Sequence, residues 1–259
     1  MKSLRRLGPF LACVLFLLML CPHSFADDKA GIVNKARARY YNLAARGVKE
    51  FRCNAIPNWK KFLGSTQPKA VPDDDPFLRR LNLLRFELVA SPSEESKVTP
   101  STTGPIVLDD NIMQLIAGVK DTVRGFSETW RGFMLTNPFD GCDVDSLEEG
   151  PDNYRISSKQ AGFETKTLMG KDFTITEVLG NYGESKVRVA PRFTVTNEGL
   201  VLESVSNEID GGKTRLVEAI ECGEVEGLRL PSRVHIDLTQ PGEHFVIDVA
   251  FENYRIGRK

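Results

Sequence analysis

The chain has 259 residues, of which 41% are hydrophobic and 27% charged, with 34 basic and 35 acidic side chains. This composition is typical of a globular protein and excludes a disordered chain, a collagen and a disulfide-rich miniprotein. The first 26 residues hold three of the basic side chains and no acidic one, so residues 27–259 carry a formal charge of −4. Non-specific nucleic-acid binding requires a basic surface, so no nucleic-acid partner is expected.

The N-terminal 26 residues have the three parts of a secretory signal peptide. Basic residues precede an apolar run over residues 7–21, and Ser24-Phe25-Ala26 has the small-residue pattern of a cleavage site. The apolar run is short for a membrane span of about 20 residues, which disfavours an uncleaved anchor. Lipidation of Cys21 is disfavoured because Leu20 precedes it in place of a small residue. We therefore predict cleavage after Ala26 and a periplasmic or secreted protein.

Cleavage there leaves Cys53, Cys142 and Cys222. In an oxidising compartment an odd number of cysteines allows at most one intramolecular disulfide among them, and the sequence does not define which pair forms, if any. Cys53 lies on the apolar side of an alternating segment, which predicts a buried core residue. Cys142 follows a turn-rich stretch and is expected to be the most exposed of the three.

The first half of the chain predicts helices and strands separated by two irregular segments. Residues 28–46 have helical apolar spacing, with acidic residues at the start and Gly47 at the end. Residues 51–55 and 84–90 alternate as strands, and residues 57–63 suit one helical turn. Residues 64–76 and 90–105 are rich in turn-forming and polar residues and are predicted to be flexible, the second as a long loop or loose hairpin.

The strongest periodic pattern predicts a long helix over residues 110–133. Its apolar residues recur at steps of 4, 3, 4, 3, 4 and 3: Ile112, Ile116, Val119, Val123, Phe126, Trp130 and Phe133. This stripe predicts core packing, whereas a coiled-coil seam is disfavoured because no other segment repeats it. Gly118, Gly125 and Gly132 lie next to the stripe. Glycine destabilises a helix relative to alanine, so three glycines on one side predict close approach to a neighbouring element.

After Pro151 the sequence changes to strands whose apolar residues lie on one side. Asp210-Gly211-Gly212 and Pro241-Gly242 are predicted hairpin turns. One-sided strands indicate an antiparallel sheet with one solvated face, and the absence of intervening helices excludes repeated βαβ units. A sheet of this length tends to curl. We therefore predict one α+β domain over residues 27–259, in which a curved antiparallel sheet (a half-open barrel) has its apolar concave face covered by helices.

Motifs for catalysis and metal binding are absent from the sequence. Residues 27–259 contain two histidines, His235 and His244, without zinc-ligand spacing, and there is no nucleophile elbow and no phosphate- or dinucleotide-binding loop. No catalytic residue, metal or cofactor is therefore predicted. A hydrolase built on Cys142 and His235 stays as a minor alternative, because catalytic partners need to meet only in space. The acidic residues over 140–149 lack the calcium-loop pattern and are interpreted as a solvated loop.

Three segments near the C-terminus, residues 193–205, 210–214 and 222–231, are similar to the lipoprotein carrier and lipoprotein-sorting (LolA-like) family. In that family a hairpin leads to a strand that finishes with a Val-acidic-Gly-x-x-x-Pro element, which here is Val225-Glu226-Gly227-Leu228-Arg229-Leu230-Pro231. The N-terminal helix that leads into a strand at Phe51 also resembles this family. The resemblance implies a half-open sheet with a helical lid over a cavity for acyl chains. No position matches the family's lid or cavity arginines, so no site residue is transferred.

Together these patterns predict an exported, non-catalytic protein that binds an apolar or acylated ligand, a lipid or a lipoprotein, in a cavity, with a transient envelope protein as a further partner. The alternative is an envelope structural or interaction module with a fully packed core and no ligand. For the cavity, the inward apolar faces of the long helix and the C-terminal strands are the candidates: Phe126, Trp130, Phe133, Phe193, Val195, Val234, Ile236, Phe245, Ile247, Val249 and Phe251.

Overall fold

A computed structural model of the chain describes residues 24–66, 70–160, 163–182 and 184–258. The predicted signal peptide lies outside these residues except for its last three. The described helices are α1 (Ser24–Arg39), α2 (Trp59–Thr66), α3 (Pro76–Leu81) and α4 (Asp110–Trp130), and α4 continues into a π-helical turn, Arg131–Leu135.

The strands of the described residues form one twelve-stranded sheet. They are β1 (Val48–Pro57), β2 (Leu84–Ala90), β3 (Lys97–Thr102), β4 (Asp143–Glu149), β5 (Asn153–Gln160), β6 (Phe163–Gly170), β7 (Ile175–Tyr182), β8 (Ser185–Thr196), β9 (Gly199–Ile209), β10 (Thr214–Val225), β11 (Leu228–Gln240) and β12 (Glu243–Arg258). Their order is β3-β2-β1-β12-β11-β10-β9-β8-β7-β6-β5-β4, and each neighbouring pair is antiparallel. The predicted α+β fold with a curved, unclosed sheet is confirmed.

Helix α4 connects the two edges of the sheet. Strand β3 is one edge and the next strand along the chain, β4, is the other. The connection that contains α4 must therefore pass from one edge of the sheet to the other. The side chain of Asp109 begins the helix by accepting the backbone N–H of Ile112 at 3.0 Å. The predicted apolar stripe is confirmed, since its members are buried except for the half-buried Phe133.

The three glycines beside this stripe do not contact a neighbouring element. Gly118, Gly125 and Gly132 are exposed, and a Cβ added at any of them would meet no atom within 4 Å. The predicted close approach is wrong. Each glycine comes one residue before a stripe residue, which is about 100° around the helix, and that rotation places it on the solvent side.

The first helix ends earlier than predicted, at Arg39 rather than near residue 46. Tyr40 leaves the helix to bridge Leu200 of β9, and the N–H of Tyr41 donates to the Leu200 carbonyl at 3.0 Å. The Tyr40 hydroxyl accepts the N–H of Ile175 at 2.7 Å and donates to the carbonyl of Phe173 at 3.0 Å. These tertiary hydrogen bonds replace the helical ones, so helix propensity did not decide the boundary.

Three segments predicted to be flexible or solvated contain helical or strand residues. In the predicted 64–76 linker, residues 64–66 are the last residues of α2. The last residue of that linker, Pro76, is the first residue of α3. Lys97–Thr102 pairs with β2 as an edge strand, so β2 and β3 form a hairpin, which is one of the two alternatives predicted for residues 90–105. The acidic stretch forms edge strand β4, paired with β5, in place of a solvated loop. Polar, charged sequences suit edge strands because they discourage pairing with other chains.

Two hydrophobic clusters lie between the helices and the sheet. The larger core unites β1–β3 and β9–β12 with α2–α4. The smaller core unites α1 with strands β5–β7 and the segment after the π-helical turn. Phe133 and Phe193 pack against both clusters. The helices therefore cover much of one face of the sheet, and this concave face carries the apolar residues of the strands.

Candidate functional site

Most of the predicted cavity residues lie inside the larger core. Its buried members among them are Phe126, Trp130, Val234, Ile236, Ile247, Val249 and Phe251, while Phe133, Phe193 and Phe245 are half-buried against it. The Phe126 ring stacks on Phe251 with centroids 5.4 Å apart, and Trp130 meets Phe51 edge-to-face at 5.8 Å. The structure thus brings these residues together as packed side chains, and their role in ligand binding stays a prediction.

Val195 differs from the rest of the predicted set. Its side chain is 65% exposed, so the expectation that it lies in the interior is wrong. It lies near the end of β8, beyond a register shift between Arg192 and Phe193 that interrupts the alternation of the strand. Phe193 follows the same shift and still packs against both cores, and Val195 pairs with the buried Leu200, so the exposure of Val195 reflects its position near the end of the strand and not a change of face.

An apolar groove is present elsewhere on the sheet, across strands β6–β9. Its volume is about 420 Å³, and its lining residues are Thr165, Val178, Gly180, Asn181, Ser185, Val187, Val189 and Ile209. All of them belong to strands, and no helix contributes to the lining. The groove contains none of the predicted cavity residues. This volume falls within the range of about 300–1,000 Å³ that is typical of small-molecule sites.

The groove lies on the same face as the two cores. Val178 packs against the smaller core and Val189 against the larger one, and these two valines are paired across β7 and β8. Val187 pairs with Gly180 on one side and with Ile209 on the other. Because Gly180 has no side chain, no side chain projects from β7 opposite Val187. The groove is therefore an uncovered continuation of the concave face.

The opposite face of the same strands is ionic. Arg188, between the two groove valines in sequence, lies 2.5 Å from Glu177 of β7 and 3.4 Å from Glu208 of β9. Successive side chains of a strand point to opposite faces, so this charged ladder and the apolar groove alternate along β8. In the sequence, the groove is indicated only by the alternation of Val187 and Val189 with basic residues. An ordinary core strand has the same pattern, so this signal does not distinguish a groove from a packed core.

Cys142 and His235, the predicted alternative for a nucleophile and its base, have other partners in the structure. Nδ1 of His235 lies 2.6 Å from Asp248, and Lys61 lies 2.8 Å from the same carboxylate. Burial alone would raise the pKa of Asp248, but hydrogen bonds from Lys61 and His235 outweigh it and lower that pKa. Cys142 packs against the smaller core, and within the described residues no contact joins it to His235.

All three cysteines of residues 27–259 are free thiols in the structure. Cys53 is buried, as predicted, and burial raises its pKa to about 12. Burial also raises the pKa of Cys222, to about 11, and that of Cys142. Since the thiolate is the reactive form, none of these environments activates a cysteine. Cys142 and Cys222 are both half-buried, so Cys142 is not fully exposed.

In the described ranges, no three His, Cys, Asp or Glu side chains are grouped so that they could hold a metal ion. Over the same ranges, no helix has both the length and the apolar character needed to cross a bilayer.

No family model matches the chain. No curated protein matches it either. One similar solved structure is the crystal structure of MucB in complex with MucA(peri), which is 10% identical, with 90% of this chain and 100% of that chain covered and a TM-score of 0.16. A score this low does not establish a shared fold.

Proposed function

We propose that this protein is an exported, non-catalytic binding protein that holds one apolar chain, such as the acyl chain of a lipid or lipoprotein, in the groove over β6–β9. The observation that carries the proposal is that the concave face continues past the last helix as an open groove lined by Val178, Val187, Val189 and Ile209. When a ligand covers apolar surface that folding leaves in water, the complex is stabilised by roughly 25 cal/mol per Å² of covered surface. The resemblance to lipoprotein carriers agrees with this ligand class.

Two features support a non-catalytic protein: the environments of His235 and the cysteines, and the composition of the groove lining. His235 is engaged by Asp248 and Lys61, and the cysteine thiols have raised pKa values. The groove lining contains neither a histidine nor a carboxylate that could act as an acid or a base.

The second candidate is an envelope interaction module that binds no small ligand. The observation in its favour is the close packing of Phe126, Trp130 and Phe251, residues expected to line a cavity. In that case the groove would be covered by a protein partner.

Uptake of a fluorescent acyl probe tests the groove directly. Val187→Asp places a charge in the centre of the lining and is expected to weaken probe binding at least tenfold, because binding would bury an unpaired carboxylate. Val195→Asp is the matched control, since Val195 lies on the same strand but is 65% exposed and outside the groove lining. The affinity of this variant for the probe should equal that of the wild type. Equal affinity in both variants would remove the groove as the site. An absence of probe uptake, together with an organic extract free of lipid, would favour the interaction module.

Export is tested by N-terminal sequencing of the protein from a secreting host. The expected first residue is Asp27, because the basic start, the apolar run and Ser24-Phe25-Ala26 together match a signal peptide. A mature chain that begins at Met1, or one with a lipidated Cys21, would contradict the prediction.

A further inference from the structure

Glu218 is a carboxylic acid buried in the apolar face of the sheet. It lies in the middle of β10 and is 1% exposed. Its direct cross-strand neighbours are Val205 of β9 and Ile236 of β11, both fully buried members of the larger core. Directly opposed residues in antiparallel strands share a face, so the carboxyl lies on the concave side among aliphatic side chains.

This carboxyl has no compensating partner among the described residues. Its Oε2 is buried without a hydrogen-bond partner. Burial is the sole cause that raises its pKa, to about 7, and no charged group of the strands or helices contributes. On β11, the neighbouring His235 and Asp237 alternate with Ile236 and therefore face the other side, where they pair with Asp248 and His244. Cys222, further along β10, has a pKa near 11 and stays neutral at physiological pH.

An unpaired carboxylate is far more costly in an apolar interior than a neutral carboxylic acid. We propose that Glu218 is a pH-sensitive switch in the concave face: strands β9–β11 stay packed while its carboxyl is neutral, and loss of the proton shifts the equilibrium toward a locally opened state in which the carboxylate reaches water. This inference goes beyond the proposed function and does not depend on any ligand.

The direction of the effect follows from proton linkage. In the opened state Glu218 has its ordinary pKa of 4.5, whereas the closed state holds it near 7. The closed state therefore binds more protons between these values, and opening becomes more favourable as the pH rises. The opening equilibrium should increase by roughly a factor of ten for each pH unit between pH 5 and 7, and it should level off above pH 7.

Hydrogen-exchange protection of the β9–β11 amides, corrected for intrinsic exchange rates and measured from pH 5 to pH 8, tests the switch. In the wild-type chain, protection should fall steeply up to pH 7. Glu218→Gln and Glu218→Met both remove the ionisation, so protection should become independent of pH, and the second variant serves if the first does not fold. Glu221→Gln is the matched control, because Glu221 is exposed on the other face of the same strand, and it should behave as wild type.

Two results would overturn the proposal. One is protection in the wild-type chain that does not change with pH. The other is a pH dependence that persists in the Glu218 variants, which would assign it to a different group. Neither result bears on probe binding in the groove, so failure of the switch and failure of the proposed function are distinguishable.

Discussion

Replacing Gly199 with alanine is expected to destabilise the protein by about 3 kcal/mol, as a backbone clash and an unfavourable conformation combine. Gly199 has a φ of 122°, and a Cβ built on it would lie 2.9 Å from the Tyr41 nitrogen and 3.0 Å from the Arg39 carbonyl oxygen. These are backbone atoms at the point where the chain leaves α1 and meets β9, so they cannot move aside as a flexible side chain would. Chemical denaturation measures the loss.

The matched control is Gly211→Ala in the β9–β10 hairpin. Gly211 also has a positive φ, 70°, but a Cβ there would meet nothing within 4 Å. The substitution should destabilise the protein by about 1 kcal/mol, which is the cost of the unfavourable backbone conformation without a clash. Equal losses at the two positions would show that the contact between Gly199 and the end of α1 is looser than the structure indicates.

Replacing Trp130 with alanine is expected to cost about 3–5 kcal/mol, the range for a large aromatic residue removed from a packed core. The side chain is 1% exposed and packs edge-to-face on Phe51. Its Nε1 has no hydrogen-bond partner within the described residues, so the loss reflects packing and not a broken hydrogen bond. Thermal and urea unfolding measure the change, with acyl-probe uptake recorded on the same samples.

Met113→Ala on the same helix is the control, because Met113 is 49% exposed and should change stability by less than about 0.5 kcal/mol. The sequence predicted that Trp130 lines a ligand cavity, and this pair of variants decides the question. A small stability loss with weakened probe uptake would support the cavity. A large loss, with uptake unchanged in the folded fraction, would place Trp130 in the core and leave ligand binding to the groove over β6–β9.

The comparison of the predicted cavity with the groove shows where apolar periodicity stops being informative. Phe126 and Val187 both belong to one-sided apolar patterns, yet Phe126 is covered by Phe251 and Val187 lines an open groove. The pattern reports which face of an element avoids water. It does not report how far the covering helices extend, because that depends on helix length and on the path between the sheet edges.

The sequence by itself determined the strand-rich C-terminal half, the apolar stripe of α4, the hairpin at Asp210-Gly211-Gly212 and the α+β class, because each depends on local periodicity or local turn chemistry. Only the tertiary structure decided where α1 ends, that polar segments such as Asp143–Glu149 become edge strands, and that Glu218 is buried without a partner. Each of these outcomes depends on contacts between residues far apart in the chain: Leu200 beside Tyr40, β5 beside β4, and the two apolar neighbours of Glu218. A local pattern contains no information about such partners, since long-range pairing is selected by the packing of the whole sheet.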